Sequence, residues 1–186
     1  MKLAKEFPEL QGDRINLRKP MVTDSIGIFR LRSDESVAKY LDRKLQSETS
    51  EAKEFLTKIL QGIEEQNWLY WIITKKISDE FLGTICLWNF SDDGKTAEVG
   101  FEMLPERQGR GYASEALSSV LRYGFYELSM DFIEGFVHPE NRNSIELMKK
   151  HGFTLDREFE DESVLTGGKI KFLIYQISKE KYYLSS

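Results

Sequence analysis

The chain has 186 residues, 40% apolar, 31% charged and 12% aromatic, with one Cys, two His and a net charge of −5. That is a folding chain of one-domain size, expected to form a single unit over residues 1–186, and its cysteine and histidine content is too thin for a disulfide framework or a structural zinc site. The acidic balance argues against nucleic acid as the main ligand, and the longest apolar run, residues 68–73, is far short of the roughly 20 residues that span a bilayer.

The opening residues 1–6 lack the apolar stretch and cleavage site of a secretory leader, so a cytoplasmic protein without membrane contact is expected. A short strand is predicted at residues 14–18, then a short helix opened by Pro20 and capped by Thr23, running through Ile26, Phe29 and Leu31. From Thr49, the residues Ala52, Phe55, Leu56, Ile59, Leu60 and Ile63 recur at three- and four-residue spacing and define one apolar helix face. The period then changes. Residues 68–75 and 81–90 are rich in aromatic and β-branched side chains and read as a hairpin, and residues 96–104 read as the third strand of the meander, broken by Pro105. A helix carries Ala113, Ala116, Leu117, Val120, Leu121, Gly124 and Leu128 on one face, followed by a strand at residues 132–137. Strand, helix, strand within about 40 residues implies a parallel, right-handed crossover. A helix over residues 143–150 ends at the Gly152 cap, and strands at 153–159 and 170–177 close the domain. Lys179-Glu180-Lys181 reads as a solvated end.

The segment Gln108-Gly109-Arg110-Gly111-Tyr112-Ala113 sits between a predicted strand and a predicted helix. Its glycines permit positive φ and close approach of a ligand, and the first amides of the helix lack internal acceptors and carry the positive end of its dipole. A phosphate or diphosphate fits there, with Arg107 and Arg110 available for charge-assisted hydrogen bonds. The bland alternative is a glycine turn with two solvated arginines. No Lys follows Gly111, so this is not a Walker loop. A dinucleotide fingerprint is a poor match, because Asp131 precedes its strand rather than following it.

The segment resembles the acyl-CoA loop of the GNAT superfamily of N-acetyltransferases, of the form Gln/Arg-x-x-Gly-x-Gly/Ala, matched by Gln108, Gly111 and Ala113. Ala97-Glu98-Val99-Gly100-Phe101 is similar to that family's preceding strand. Pro139-Glu140-Asn141-Arg142-Asn143-Ser144 and Lys150-His151-Gly152-Phe153 are similar to its later signature, in the branch of the ribosomal-protein N-terminal alanine acetyltransferases. The resemblance implies one α/β domain with a mixed, mostly antiparallel twisted sheet, a central parallel βαβ unit, and splayed strands at 96–104 and 132–137. It implies acetyl-CoA as cosubstrate, held at the diphosphate by the main chain of Gln108, Gly109, Arg110, Gly111, Tyr112 and Ala113. It further implies that Met103 and Leu104 pair with the pantetheine arm and that Asn141 contacts CoA, although Asn141 also reads as a helix cap.

Acetyl transfer to an amine needs a neutral amine and a proton for the departing thiolate. Glu98 matches the family's usual general base, and Glu102, four residues along the same strand, is the competing base on the same face. Glu98 also reads as a cross-strand charge partner. Ser144 matches a serine near the leaving sulfur and equally an ordinary helix-start residue. Where many relatives carry a tyrosine acid, this chain has Met148, which leaves Ser144 or no acid at all. Cys86, between Ile85 and Leu87, reads as a small buried side chain, and His138 and His151 as structural. The expected acceptor is a primary amine, either a protein N-terminus or a small amine, with the net charge mildly favouring a cationic one; the expected state is a monomer or homodimer. The rivals are a non-catalytic acyl-CoA binding module and a nicotinamide dinucleotide enzyme.

Overall fold

In a computed structural model of the chain, residues 6–185 are described; residues 1–5, read above for a leader, and residue 186 lie outside them. Eight strands, β1 (Leu10–Gln11), β2 (Ile15–Arg18), β3 (Leu69–Lys75), β4 (Phe81–Trp88), β5 (Thr96–Met103), β6 (Phe132–Val137), β7 (Thr154–Glu162) and β8 (Lys169–Ser178), form one sheet in the order β1-β2-β3-β4-β5-β6-β8-β7. Among the described residues, only β5 and β6 pair in parallel; the crossover between them carries the helix α4 (Tyr112–Arg122). The mixed sheet with one central βαβ unit is therefore the architecture expected from the element order.

The β3 sequence Leu-Tyr-Trp-Ile-Ile-Thr-Lys does not alternate apolar with polar, because both faces of this strand are covered. Leu69, Trp71 and Ile73 join one core with Ala116, Leu117, Val120 and Leu121 of α4 and Met148 of the helix α5 (Arg142–Lys150). Tyr70 and Ile72 face the opposite core, formed with Ile28 of α1 (Ser25–Arg32) and Ala52, Leu56, Ile59 and Ile63 of α3 (Thr49–Glu64). The α3 stripe is the one read from its spacing. Glu51 closes its first turn by accepting the main-chain N–H groups of Ser47 (2.6 Å) and Glu48 (2.9 Å). Between α1 and α3 lies a short helix, α2 (Glu35–Ala38), capped by Asp34.

Four local readings need correction. The short strand β1 was missed, being only two residues long. Thr23 is not a cap: it lies inside a 3-10 turn over Val22–Asp24 that precedes α1. The face read straight through to Leu128 is interrupted, because Tyr123–Glu127 adopts the wider π turn, with Leu128 N–H donating to the Tyr123 carbonyl (3.1 Å). That extra residue per turn brings Tyr123 and Phe125 into the core. Finally, Lys179-Glu180-Lys181, read as a solvated end, opens a helix, α6 (Lys179–Ser185), whose Tyr182 ring lies 5.0 Å from that of Phe125. Among the described residues, no helix is long and apolar enough to cross a membrane.

Candidate active site

The parallel ladder between β5 and β6 is only three rungs long: Thr96 with Phe132, Ala97 with Ile133 and Glu98 with Glu134. Beyond Glu98, β5 stays with β4, while Gly135, Phe136 and Val137 of β6 stay with β8. The two strands therefore part, and a V-shaped gap opens. Leu104 N–H donates to the Leu82 carbonyl (3.0 Å), so the Met103 carbonyl of the same peptide points the other way, into the gap. There it accepts a hydrogen bond from Gln108 Nε2 (3.1 Å). A cavity of about 600 Å³ fills this end of the molecule, walled by Phe101, Glu102 and Met103 of β5, the loop after it, α5, and Ser36, Val37 and Tyr40 on or beside α2.

The loop has the backbone that its sequence requires. Gly109 and Gly111 take φ of +69° and +82°, and Gly111 caps α4 without a side chain. The first main-chain bond within the helix runs from Glu115 N–H to the Gly111 carbonyl (3.0 Å), so the amides of Tyr112, Ala113 and Ser114 have no helical acceptor. Gly109, Gly111, Tyr112, Ala113 and Ser114 all line the cavity. Unpaired amides, a left-handed glycine and an open wall fit a diphosphate. The Gln108 amide is already spent on the Pro105 carbonyl (3.2 Å), so Gln108 contributes through its side chain.

One brace was absent from the sequence reading. Arg14 donates to the Arg110 carbonyl (3.0 Å), meets Glu115 Oε2 (3.0 Å) and lies over the Tyr112 ring (5.0 Å). It fixes the loop from a chain position about a hundred residues away, and no local pattern announces such a pair. Arg107 lines the cavity and grips Glu80, which also holds Lys75 (3.1 Å).

Gly100 separates the two acidic residues of β5, and a Cβ there would press on Cys86 Sγ at 3.2 Å. Of the two acids, Glu102 is among the residues that line the cavity and Glu98 is not. Burial pushes the Glu98 carboxyl up to about 7; the like charge of Glu134 acts in the same direction, and hydrogen bonds from Asn89 and Trp88 act against it. Glu134 is in turn held by both Nη atoms of Arg157 (2.9 and 3.1 Å) and by Gln176 Nε2 (2.8 Å). Glu102 lines the cavity, but its oxygens are taken by Arg43 Nη2 (2.7 Å) and Arg32 Nη1 (3.6 Å). Burial pushes the Cys86 thiol up to about 12, which leaves it un-ionised at neutral pH.

On the other wall, Asn141 Oδ1 accepts the Ser144 N–H (3.2 Å) as the cap of α5. Both residues also line the cavity, and that bond engages the main chain of Ser144 and not its hydroxyl. Met148 is buried beneath them, against Gly135. Ser114 Oγ and His151 Nε2 are 2.8 Å apart and tie α4 to α5; burial, with Lys150 nearby, lowers the His151 pKa. Asp42 accepts hydrogen bonds from Ser163 Oγ (2.8 Å) and Val164 N–H (2.6 Å), joining the segment after α2 to the β7–β8 turn. Among the described residues, no cluster of three His, Cys, Asp or Glu is placed to hold a metal ion.

Residues 14–154 match the family model described as an acetyltransferase (GNAT) domain. The uncharacterised N-acetyltransferase p20 of Bacillus licheniformis is 31% identical over 175 residues, covering 93% of this chain and 97% of that protein. Among solved structures, the fold matches spermidine N-acetyltransferase from Vibrio cholerae, solved with CoA and spermine (TM-score 0.79, 21% identity, 91% and 98% of the two chains). It also matches ribosomal-protein-S5-alanine acetyltransferase from Vibrio fischeri (TM-score 0.78, 15% identity, 94% and 98%). At such identities the two structures speak for the fold alone. The matched domain spans the gap, the glycine loop and the strands that frame them, and the chain belongs to the GNAT family of acetyl-CoA-dependent N-acetyltransferases.

Proposed function

We propose that the protein transfers the acetyl group of acetyl-CoA to a primary amine, a protein N-terminus or a small amine, by direct attack in a ternary complex. The observation that carries this reading is the placement of Glu98. It stands half-buried at the last rung before β5 and β6 part, with its carboxyl pushed up to about 7. A carboxyl poised there takes a proton from an ammonium acceptor, directly or through a water, and frees the lone pair that attacks the thioester carbonyl. Glu102, with both oxygens on arginines, is the weaker candidate for that task.

In this reading, Gly109, Gly111, Tyr112, Ala113 and Ser114 hold the diphosphate through main-chain amides, and Arg110 sits in the same loop. Met103 presents its main chain to the pantetheine arm. Leu104, whose N–H is taken by Leu82, supports that strand end rather than pairing itself. Asn141 both caps α5 and faces the cosubstrate. Ser144 donates to the departing thiolate, since Met148 has no proton to give. Alignment of amine and thioester supplies up to about 7–11 kcal/mol at best, and an acid or base adds about 10²- to 10⁴-fold.

Thiol release measured with acetyl-CoA across peptides with free N-termini, polyamines and aminoglycosides tests the reading. Acetylation of at least one amine, lost in Glu98→Gln while acetyl-CoA still binds, supports it. Tight CoA binding without thiol release from any amine identifies a non-catalytic module, and NAD binding without CoA affinity overturns the cosubstrate as well.

A further inference from the structure

Three of the residues that line the cavity, Val37, Tyr40 and Leu41, come from α2 and the segment after it. Each is half-buried, yet none belongs to either apolar core among the described residues. Phe101, half-buried on β5, lines the same cavity. Apolar side chains that face a cavity instead of a core are available to a ligand. A helix of four residues has no stability of its own, and this one is ordered by its contacts. Asp34 accepts the main-chain N–H groups of Ser36 (2.8 Å) and Val37 (3.1 Å), the Tyr40 ring is stacked on that of His138 (centroids 5.6 Å apart, planes at 29°), and Asp42 holds the β7–β8 turn.

The charges around the cavity are already matched. Among the described residues, the carboxylates that line it are Glu102, which meets Arg43 (2.7 Å) and Arg32 (3.6 Å), and Glu146, which meets Lys149 (3.6 Å). The cations that line it are Arg107, paired with Glu80, and Lys150. A monoamine gives up its one charge when it is deprotonated for attack. A polyamine or an aminoglycoside brings further ammonium groups, and each would leave water to meet a carboxylate that already has its cation.

Resting on the acetyl-transfer reading above, we propose that Val37, Tyr40, Leu41 and Phe101 receive the body of the acceptor: the amine that is acetylated carries a single positive charge on an apolar group, and it is not a polyamine. A phenyl or branched aliphatic group placed against four apolar side chains leaves water, and a wall already held in place loses little freedom on binding. The few polar groups of the cavity then orient the amine, as in most small-molecule sites. A free alkyl- or arylalkylamine offers this chemistry, and so does a protein end whose first side chain is apolar.

The experiment compares thiol release from acetyl-CoA with 2-phenylethylamine, ethylamine, a Phe-Gly-Gly peptide amide, triglycine amide, spermidine and kanamycin, each rate referred to the neutral amine. The apolar member of each monoamine pair is expected to exceed its small partner by at least tenfold in kcat/KM, with spermidine and kanamycin below both apolar amines. 2-Phenylethylamine above the Phe peptide identifies a free small amine, and the reverse order a protein end. Val37→Asp is expected to bring the phenylethylamine-to-ethylamine ratio toward one with an unchanged Kd for CoA. Leu41→Ala, a milder change should the first variant fold poorly, lowers the ratio at least threefold. Equal use of apolar and small monoamines, spermidine or kanamycin as the best acceptor, or an undiminished ratio in the variants overturns the proposal. So does a Kd for CoA that rises as much as acceptor use falls, because the wall then belongs to the cosubstrate. Thiol release from no amine at all overturns acetyl transfer instead. Calorimetric binding of N-acetyl-2-phenylethylamine against N-acetylethylamine to the CoA-loaded protein then still decides the pocket, with equal affinity counting against it.

Discussion

Glu98 and Glu134 stand opposite each other on the last rung of the parallel β5–β6 ladder, and Arg157 grips only the second of them. One carboxyl is thus neutralised from an outer strand, while its neighbour keeps no such cation. In the proposed reaction, that neighbour is the proton acceptor, near pH 7 and without a histidine.

The pH dependence of turnover follows from that arrangement. Glu98 acts when deprotonated, so kcat/KM is expected to rise through about pH 7 and to fall tenfold per unit below it. Glu98 is faced by Cys86, Trp88 and Asn89 from the β4 side, Glu134 from β6 with Arg157 behind it, and Glu102 further along β5. Glu134→Gln removes a like charge and shifts the acid limb to lower pH. Arg157→Met leaves Glu134 unneutralised and shifts it to higher pH. Shifts of the same sign in both variants refute the electrostatic account.

Stability carries the same signature with its own sign. Because the folded-state pKa of Glu98 is raised above its unfolded value, its contribution is favourable below about pH 4.5 and is lost as pH rises through about 7. Glu98→Gln is therefore expected to be more stable than the parent at pH 8, by on the order of 2 kcal/mol after solvent screening, and equally stable at pH 4. Denaturant midpoints at the two pH values measure this.

Gly111→Glu is expected to raise the Kd for CoA at least a hundredfold. A side chain at φ +82° is strained, its Cβ meets Arg14 Nη2 at 3.1 Å, and its carboxylate enters a site built for phosphate. Calorimetric titration with CoA provides the readout, and an unchanged Kd discards the loop as the diphosphate site.

Ser144→Ala removes a hydroxyl without touching the main-chain bond from its N–H to Asn141. A fall of about tenfold or more in kcat with an unchanged Kd for CoA is expected from loss of the thiolate's proton donor. Unaltered kcat means that the thiolate leaves unassisted.

His151 responds to acid in the opposite sense from Glu98. Its pKa is lowered by burial and by Lys150, so its contribution to stability is present above about pH 6.5 and lost as pH falls below that value. Melting temperatures compared at pH 8 and pH 5.5 are expected to converge in His151→Phe relative to the parent.

Periodicity, turn residues and caps act over a few positions. For that reason the α3 stripe, the meander of β3, β4 and β5, the Gly109–Gly111 bend and the Gly152 cap were legible in the chain itself. The positions of Glu98, Glu102 and Ser144 were legible as well, by resemblance and spacing. Their environments were not. Arg32 and Arg43 on Glu102, Arg157 on Glu134, Arg14 on Glu115 and Glu80 on Arg107 join residues between 23 and 101 positions apart. The chain's net charge is −5, yet two arginines meet the one carboxylate of Glu102, because an ionic field is set by the few charges that folding brings within several ångströms and not by their sum along the chain. The sequence alone thus determined the element order and the glycine bend before α4, which are local. Tertiary structure alone decided that Glu102 is ion-paired while Glu98 is buried with a raised pKa, because burial and ion pairing exist only once distant segments meet.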